Sequence, residues 1–136
     1  MIYIDSSVLL ELYLGGMRSD DARAILDEPE AKIASWLLVV EVPIVLRRTL
    51  GRKRDRAVLS RALERFDRDA EDIGLVDSLT DVAVRIRSDA RFARCRALDA
   101  FHACTALLMR EWTGHAVRIA TFDDRLNELA TELHLV

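Results

Sequence analysis

Apolar residues form two kinds of pattern along this chain: short continuous runs, and stripes in which they recur every three or four positions. Short continuous runs are typical of buried strands, and stripes at that spacing are typical of amphipathic helices. The runs predict strands at residues 2–4, 31–35, 73–76 and 117–120, with a last edge strand at 135–136. The stripes and their end signals predict helices at residues 8–14, 20–27, 36–48, 58–66, 79–86, 98–112 and 123–133.

The helix predicted at residues 36–48 has conflicting start signals. Ser35 is of a residue type that caps helices with its side-chain oxygen. Pro43, inside the same segment, has no backbone N–H to donate and would kink or delay the helix. The pattern therefore predicts the helix but leaves its first residue open.

Strands and helices alternate through the whole chain, without an internal repeat or a linker. This order is typical of an α/β protein in which helices cover both faces of a parallel sheet. We therefore expect a three-layer α/β/α sandwich around a central, mostly parallel sheet of about five strands. The length of 136 residues fits a single domain, residues 1–136.

The composition is that of a soluble globular protein, with 51% hydrophobic and 32% charged residues. No apolar run approaches the roughly 20 residues of a membrane span, and the first residues carry no secretory signal. We therefore expect a cytoplasmic protein with no membrane partner. In a reducing compartment, Cys95 and Cys104 are expected to be buried thiols rather than a disulfide.

Basic residues are concentrated in two segments of an otherwise acidic chain, whose net charge is -3. Six bases and one acid lie within residues 47–56, and five arginines and one acid lie within residues 85–96. Such patches suit binding to a phosphate backbone, although solvated helix faces would give the same pattern. The candidate phosphate contacts are Arg47, Arg48, Arg52, Arg91 and Arg94.

Four acidic residues lie within or beside apolar stretches, where an unpaired carboxylate is costly. They are Asp5, Glu41, Asp99 and Asp123. Asp5 and Asp123 each follow a predicted strand, and the carboxyl ends of parallel strands share one edge of a sheet. A helix cap or a salt bridge would explain any one of these acids alone. Together they predict a site for a divalent cation, which prefers oxygen ligands.

In these segments the chain resembles the PIN-domain ribonucleases, and within them the single-domain toxins of the VapBC toxin-antitoxin systems. The resemblance covers essentially the whole chain. The segments that carry it are Ile2-Tyr3-Ile4-Asp5-Ser6-Ser7, Val40-Glu41-Val42, Leu98-Asp99-Ala100-Phe101-His102-Ala103 and Thr121-Phe122-Asp123. Each segment is short, but their order and spacing make the combination specific.

The resemblance implies that the same four acids are the catalytic residues and the ligands of Mg²⁺ or Mn²⁺. Ser7 and Thr121 would help to position a carboxylate or a water molecule. Asp124, beside Asp123, leaves a one-residue ambiguity in the fourth acid. His102 is expected to support the site or the core rather than to act as a base.

The resemblance also implies an activity and partners. Its relatives cut RNA, so we expect a metal-dependent endoribonuclease, the toxin of a type II toxin-antitoxin system, which inhibits translation by hydrolysing tRNA or another structured RNA. The five arginines would contact the RNA. A small VapB-like antitoxin would bind an apolar groove, for which residues 8–14 and 36–46 are candidate walls, and a second copy of the chain would form a homodimer.

Two alternatives stay open at this point. A PIN-like fold that has lost activity and serves as an interaction module would lack one of the acids, and none is missing. A phosphoryl-accepting aspartate domain also has an aspartate after its first strand, but it would have a second acid beside Asp5 and a late lysine. Here Ser6 and Ser7 follow Asp5, and both lysines, Lys32 and Lys53, are early.

Overall fold

A computed structural model describes residues 1–51 and 56–136 of the chain. The strands are β1 (Ile2–Ile4), β2 (Lys32–Ser35), β3 (Ile73–Val76) and β4 (Arg118–Ala120). The helices are α1 (Ser6–Leu14), α2 (Ser19–Asp27), α3 (Leu38–Leu50), α4 (Arg56–Glu71), α5 (Leu79–Ser88), α6 (Ala97–Thr113) and α7 (Asp124–Glu132), with a short 3-10 helix at Ala90–Arg94. None of the described helices is both long enough and apolar enough to span a membrane.

All strand pairings in the sheet are parallel, and the strand order is β3-β2-β1-β4. The predicted α/β architecture is confirmed. The expectation of about five strands is wrong for the described residues, which form four. After α7 the chain turns at His134, which has a φ of 55°, and only the Leu135 carbonyl reaches β4, where it accepts a 2.7 Å hydrogen bond from the Ile119 N–H.

Side chains of the central strands alternate between two hydrophobic cores, one on each face of the sheet. Tyr3 and Ile33 belong to the core that the sheet forms with α5, α6 and α7. Ile2, Ile4 and Ala34 belong to the core that it forms with α1, α2, α3 and α4. This alternation is the period of two that a strand imposes on its side chains, and it gives the three-layer sandwich.

Helix α3 begins later than residue 36 and continues through its proline. Ser35 does not cap the helix, because its hydroxyl oxygen accepts a 3.1 Å hydrogen bond from the Leu37 N–H, in the turn before α3. The helix starts at Leu38, two residues after the predicted start, and continues through Pro43, so the proline does not prevent the helix from beginning before it. The buried apolar face of α3, which packs on the sheet, compensates for the one backbone hydrogen bond that Pro43 cannot make.

Helices α5 and α6 lie side by side and run in the same direction. The Cys104 thiol contacts the Val82 carbonyl at 3.8 Å, and Arg85 forms an ion pair with Glu111 at 2.6 Å. Two consecutive helices can be parallel only if the chain returns between them, and the segment with the 3-10 helix makes that return. The sequence pattern did not predict this short helix. Its consequence is that α6 starts at the edge of the sheet where the strands end.

Both cysteines are free thiols. Cys104 is buried, as expected, whereas Cys95 is only partly buried. Burial raises the pKa of the Cys104 thiol to about 11, so this thiol is protonated at neutral pH. Cys104 is therefore a core residue of α6.

Candidate metal centre

Three of the four predicted acids follow the carboxyl ends of strands. Asp5 follows β1 and caps α1, Glu41 lies in the first turn of α3 after β2, and Asp123 follows β4 and caps α7. Asp99 reaches the same edge in the first turn of α6. Each acid is therefore at a helix N-terminus, where the helix dipole favours negative charge. The fold brings all four residues to one edge of the sheet, which we call the acidic edge.

Asp5 is the most enclosed residue of the acidic edge, with 4% of its surface exposed. Its Oδ2 accepts hydrogen bonds from the Ser7 N–H at 3.2 Å, the Ser7 hydroxyl at 2.5 Å and the Thr121 hydroxyl at 2.9 Å. Three donors on one oxygen hold the carboxylate in a single orientation. Its other oxygen, Oδ1, faces His102, whose Nε2 is 4.0 Å away.

Ser7 and Thr121 also connect the two ends of the chain at this edge. The Ser7 hydroxyl oxygen accepts a 2.9 Å hydrogen bond from the Phe122 N–H, and the Thr121 hydroxyl oxygen accepts a 3.0 Å hydrogen bond from the Asp123 N–H. The two hydroxyls are 3.3 Å apart. The position of Asp123 is therefore tied to that of Asp5 through these two side chains.

Glu41 approaches the site from α3 and meets His102. Its Oε2 lies 3.2 Å from Nε2 of His102, but the two atoms are misaligned, and among the described residues this buried oxygen has no hydrogen bond. Burial alone would lower the pKa of His102, but its contact with Glu41 and the charge of Asp5 outweigh burial and raise that pKa. A buried carboxylate oxygen without a donor is costly in a folded protein, so it is a candidate ligand for a cation.

Asp99 and Asp123 form the outer part of the acidic edge. Burial raises the pKa of Asp99, and the negative charge of Asp123 raises it further. Asp123 is exposed, and its Oδ1 accepts hydrogen bonds from the Arg125 and Leu126 N–H groups at 2.9 and 3.1 Å. Asp124 is exposed in the first turn of α7. Of the two neighbouring acids, Asp123 is the one that is linked to Asp5 through Thr121.

The side chains of the acidic edge have the right ligand atoms for a divalent cation, but they are not close enough together to hold one. Within residues 1–51 and 56–136, no group of three or more His, Cys, Asp or Glu side chains is close enough together to hold a metal ion. The donors that face the edge are carboxylate and hydroxyl oxygens, which suit a hard divalent cation. The Glu41 oxygen without a hydrogen bond is available to a cation, and the negative charge of Asp123 adds to burial in raising the pKa of Asp99. The residues present fit a divalent cation by their chemistry.

Four arginines and three acids, Asp99, Glu128 and Glu132, line a cavity of about 770 Å³ between the 3-10 helix and α7. Two of them, Arg91 and Arg94, were predicted as phosphate contacts, and Arg96 and Arg125 were not. The sequence carried a signal for the last two, because each lies within three residues of a predicted acid. Arg91 is already paired with Asp89 at 2.5 Å. The cavity therefore places arginine side chains directly beside the acidic edge, together with the carboxylates of Glu128 and Glu132.

The other predicted arginines lie away from this cavity. Arg47 and Arg48 are exposed in the last turn of α3, roughly 9 Å or more along the helix axis from Glu41. Arg52, the fifth, lies outside the described residues. Arg47 and Arg48 are therefore not among the residues that line the cavity beside the acidic edge.

A parallel α/β sandwich with carboxylates at the carboxyl edge of its sheet and arginines beside them defines an α/β protein of the nuclease type. A family model described as PIN domain matches residues 2–132, and the chain belongs to the PIN-domain family. The family resemblance seen in the sequence is thereby confirmed. A comparison with curated proteins found no match. PIN domains are generally nucleases and typically use divalent metal ions, so family membership indicates a hydrolase that acts on nucleic acids.

His102 and Tyr3 contact the acidic edge more directly than the sequence predicted. His102 was expected to support the site or the core, and the structure places it between Asp5 and Glu41. Tyr3, which was not singled out, has its hydroxyl 2.8 Å from Nδ1 of His102. In the sequence, Tyr3 stands out only as a polar side chain in an otherwise apolar strand, and this does not predict which residue its hydroxyl contacts.

Proposed function

We propose that this protein is an endoribonuclease, dependent on Mg²⁺ or Mn²⁺, that acts as the toxin of a type II toxin-antitoxin system. It would hydrolyse phosphodiester bonds of tRNA or another structured RNA in the cytoplasm and so inhibit translation. The observation that carries the proposal is the buried carboxylate of Asp5, which three hydrogen bonds hold at the acidic edge of a PIN domain.

The four acids of the edge would hold the cation: Asp5, Glu41, Asp99 and Asp123. When bound, the cation would neutralise charge and polarise the phosphoryl oxygens of the RNA. Asp5 is the anchor, because its orientation is fixed before any ligand arrives. We assign to Glu41 the orientation of the attacking water and the acceptance of its proton, because its carboxylate is partly exposed at the same edge. Ser7 and Thr121 hold Asp5 in place.

The RNA would enter through the arginine-lined cavity beside Asp99. Arg94, Arg96 and Arg125 would contact phosphates on either side of the cleaved bond, since guanidinium groups recognise phosphate oxygens. Proteins read RNA mainly in loops and single-stranded ends, and an open groove that offers several arginines suits such a strand. Arg47 and Arg48 would contact only a larger RNA that extends along α3.

The partners of the toxin would be an antitoxin and a second copy of the chain. Among the described residues, several large apolar side chains are exposed on neighbouring parts of α3, β3 and α5 or just before them. These side chains are Trp36, Ile44, Leu75, Leu79 and Val84. Exposed apolar surface of this kind is typical of interfaces between proteins. It supports a homodimer or an antitoxin site without distinguishing them.

The test of the proposed activity is cleavage of RNA by the purified protein with Mg²⁺, with Mn²⁺ and with EDTA. We expect cleavage with either ion, none with EDTA, and a loss of more than about 100-fold for Asp5→Asn, since even residues that only support a metal ligand are worth 10- to 100-fold. Asparagine also caps helices well, so Asp5→Asn should remain folded. Cleavage that persists in EDTA, or in Asp5→Asn prepared in the same way, would show that the activity is not that of this site.

The cellular role needs a separate experiment. Brief expression of the protein, followed by sequencing of RNA 5′ ends, should give a discrete set of cuts in tRNA or another structured RNA, and Asp5→Asn should give none. Growth arrest should accompany the cuts. Arrest by Asp5→Asn to the same extent would instead favour the interaction module, an alternative that the separation of the carboxylates keeps open.

A further inference from the structure

A buried chain of polar groups runs from the end of β2 to the acidic edge. The Ser35 N–H donates a 3.1 Å hydrogen bond to the Tyr3 hydroxyl oxygen, which is 2.8 Å from Nδ1 of His102. Nε2 on the other side of the ring is 3.2 Å from Glu41 Oε2 and 4.0 Å from Asp5 Oδ1. Tyr3 is fully buried, and Ser35 and His102 are 1% and 4% exposed. Bulk solvent therefore does not reach these three side chains.

The hydrogen-bond partners of Tyr3 and His102 determine which ring nitrogen of His102 carries the hydrogen. A backbone N–H only donates, so the Tyr3 oxygen is the acceptor towards Ser35. The proton of the Tyr3 hydroxyl then needs an acceptor of its own, and Nδ1 of His102 is within hydrogen-bond distance. An ionised Glu41 carboxylate has no proton to donate. In the neutral ring, the hydrogen must therefore be on Nε2, where it faces the carboxylate.

We propose that Tyr3 fixes His102 as the Nε2–H tautomer, and that His102 in turn positions the Glu41 carboxylate beside Asp5 for cation binding. Tyr3 and His102 are then positioning residues that do not touch RNA. The proton placement rests on the hydrogen-bond geometry alone, whereas its effect on RNA cleavage rests on the proposed function. Nε2 is 3.2 Å from Glu41 Oε2, which makes no hydrogen bond among the described residues, so a rotation of the carboxylate would bring this oxygen into line with the Nε2–H.

The first test is the proton position, measured by nitrogen NMR of His102 in the metal-free protein at a pH where the ring is neutral. We expect the hydrogen on Nε2 in the unchanged protein and a mixture of both tautomers in Tyr3→Phe. Tyr13→Phe is the matched control, because it also removes a hydroxyl that donates to a side chain, Asp69, at 2.8 Å, but far from the acidic edge. It should leave the His102 spectrum unchanged. A hydrogen on Nδ1 in the unchanged protein overturns the proposal.

The second test is Mn²⁺ binding without RNA, followed by electron paramagnetic resonance. Tyr3→Phe should weaken Mn²⁺ binding about 10-fold, the lower end of what partners of metal ligands contribute, and Tyr13→Phe should not change it. In RNA cleavage, Tyr3→Phe should lower kcat by a similar factor and leave KM unchanged, because Tyr3 is buried and distant from the RNA groove. Equal Mn²⁺ binding by Tyr3→Phe and the unchanged protein contradicts the proposal.

A pair of His102 variants covers the case in which Tyr3→Phe does not fold. The amide of His102→Gln can still donate to Glu41, whereas His102→Leu cannot. We expect the glutamine variant to bind Mn²⁺ more tightly than the leucine variant, at matched folding by thermal melting. Equal binding by the two variants would make His102 a core residue only. The NMR measurement of the tautomer does not depend on RNA cleavage. If the protein without substitutions cleaves no RNA, that result contradicts the proposed function but not the position of the hydrogen on His102.

Discussion

Asp5 is enclosed by protein and Glu41 has one buried carboxylate oxygen, whereas Asp99 is partly buried beside the arginine cavity and Asp123 is exposed. We call them the inner pair and the outer pair. The carboxylate of Asp5 has three hydrogen-bond donors on one oxygen, and Glu41 contacts a buried histidine. Asp99 lines the arginine cavity and Asp123 is exposed. The carboxylate of Asp5 is therefore held in place before a ligand binds, whereas the Glu41 oxygen that faces the site makes no hydrogen bond among the described residues.

This difference has a physical cause. A buried charge is tolerated only with hydrogen bonds or a counter-charge, so the inner pair needs a dedicated set of neighbours. An exposed charge is solvated by water and needs none. The charge of Asp123 is nevertheless felt by Asp99, whose pKa it raises. The inner pair would therefore set the position of a cation. The outer pair would add the remaining negative charge that balances the charge of the cation.

Neutralising the inner pair at Glu41 should have the largest effect. Glu41→Gln should lower RNA cleavage by more than about 100-fold, because it removes a charged ligand. The same change should raise the free energy of unfolding of the metal-free protein by about 1 kcal/mol, as is common when a site that is strained for function is relaxed. Urea unfolding measures this gain. A loss of stability would show that the Glu41 charge is satisfied in the fold.

Removing a support of Asp5 should have the next largest effect. Ser7→Ala takes away the hydroxyl that donates to Asp5 and accepts from the Phe122 N–H. We expect about 10-fold less cleavage and a loss of about 1–2 kcal/mol in unfolding free energy, because a buried N–H is left without a partner. Ser6→Ala, at the neighbouring position, is the control and should change neither. Equal effects of the two variants would show that the Ser7 hydroxyl does not specifically support Asp5.

Changes in the outer pair should separate stability from activity. Asp123→Ala should cost about 1 kcal/mol, because it removes the cap of α7, while Asp123→Asn keeps a cap. Both should reduce cleavage several-fold, less than changes in the inner pair. Asp124→Asn should leave cleavage unchanged, which would settle which of the two neighbouring acids binds the cation. A larger loss for Asp124→Asn than for Asp123→Asn would reverse that assignment.

The smallest effect is expected from single arginines, measured as RNA affinity in the Asp5→Asn background so that the RNA is not cut. Arg94→Ala should weaken binding and reduce the slope of log affinity against log salt by about 0.7, the value for one phosphate contact on a single strand. Arg47→Ala, on the far part of α3, should change the slope less. The opposite order would place the RNA along α3 rather than in the cavity beside the outer pair.

The sequence pattern predicted the elements that position the acids better than it predicted their ends. β1 and β3 have the predicted bounds, and the helices that carry Glu41, Asp99 and Asp123 are present. The start of α3 and the 3-10 helix were not predicted, because caps and returns depend on where neighbouring elements pack. The predicted fifth strand is absent from the described residues. After the turn at His134, the Leu135 carbonyl accepts one hydrogen bond from the Ile119 N–H, and one such bond does not make a strand.

By itself, the sequence determined the layer order, the alternation of buried residues and the acids that end up at one edge, because hydrophobic periodicity and strand ends are local properties. Only the tertiary structure decided which groups touch. Tyr3 and His102 are 99 positions apart, and Ser7 and Thr121 are 114 apart. Such contacts form when β1 lies between β2 and β4 and α6 packs across the sheet, and no local pattern encodes a distance between residues that only folding brings together.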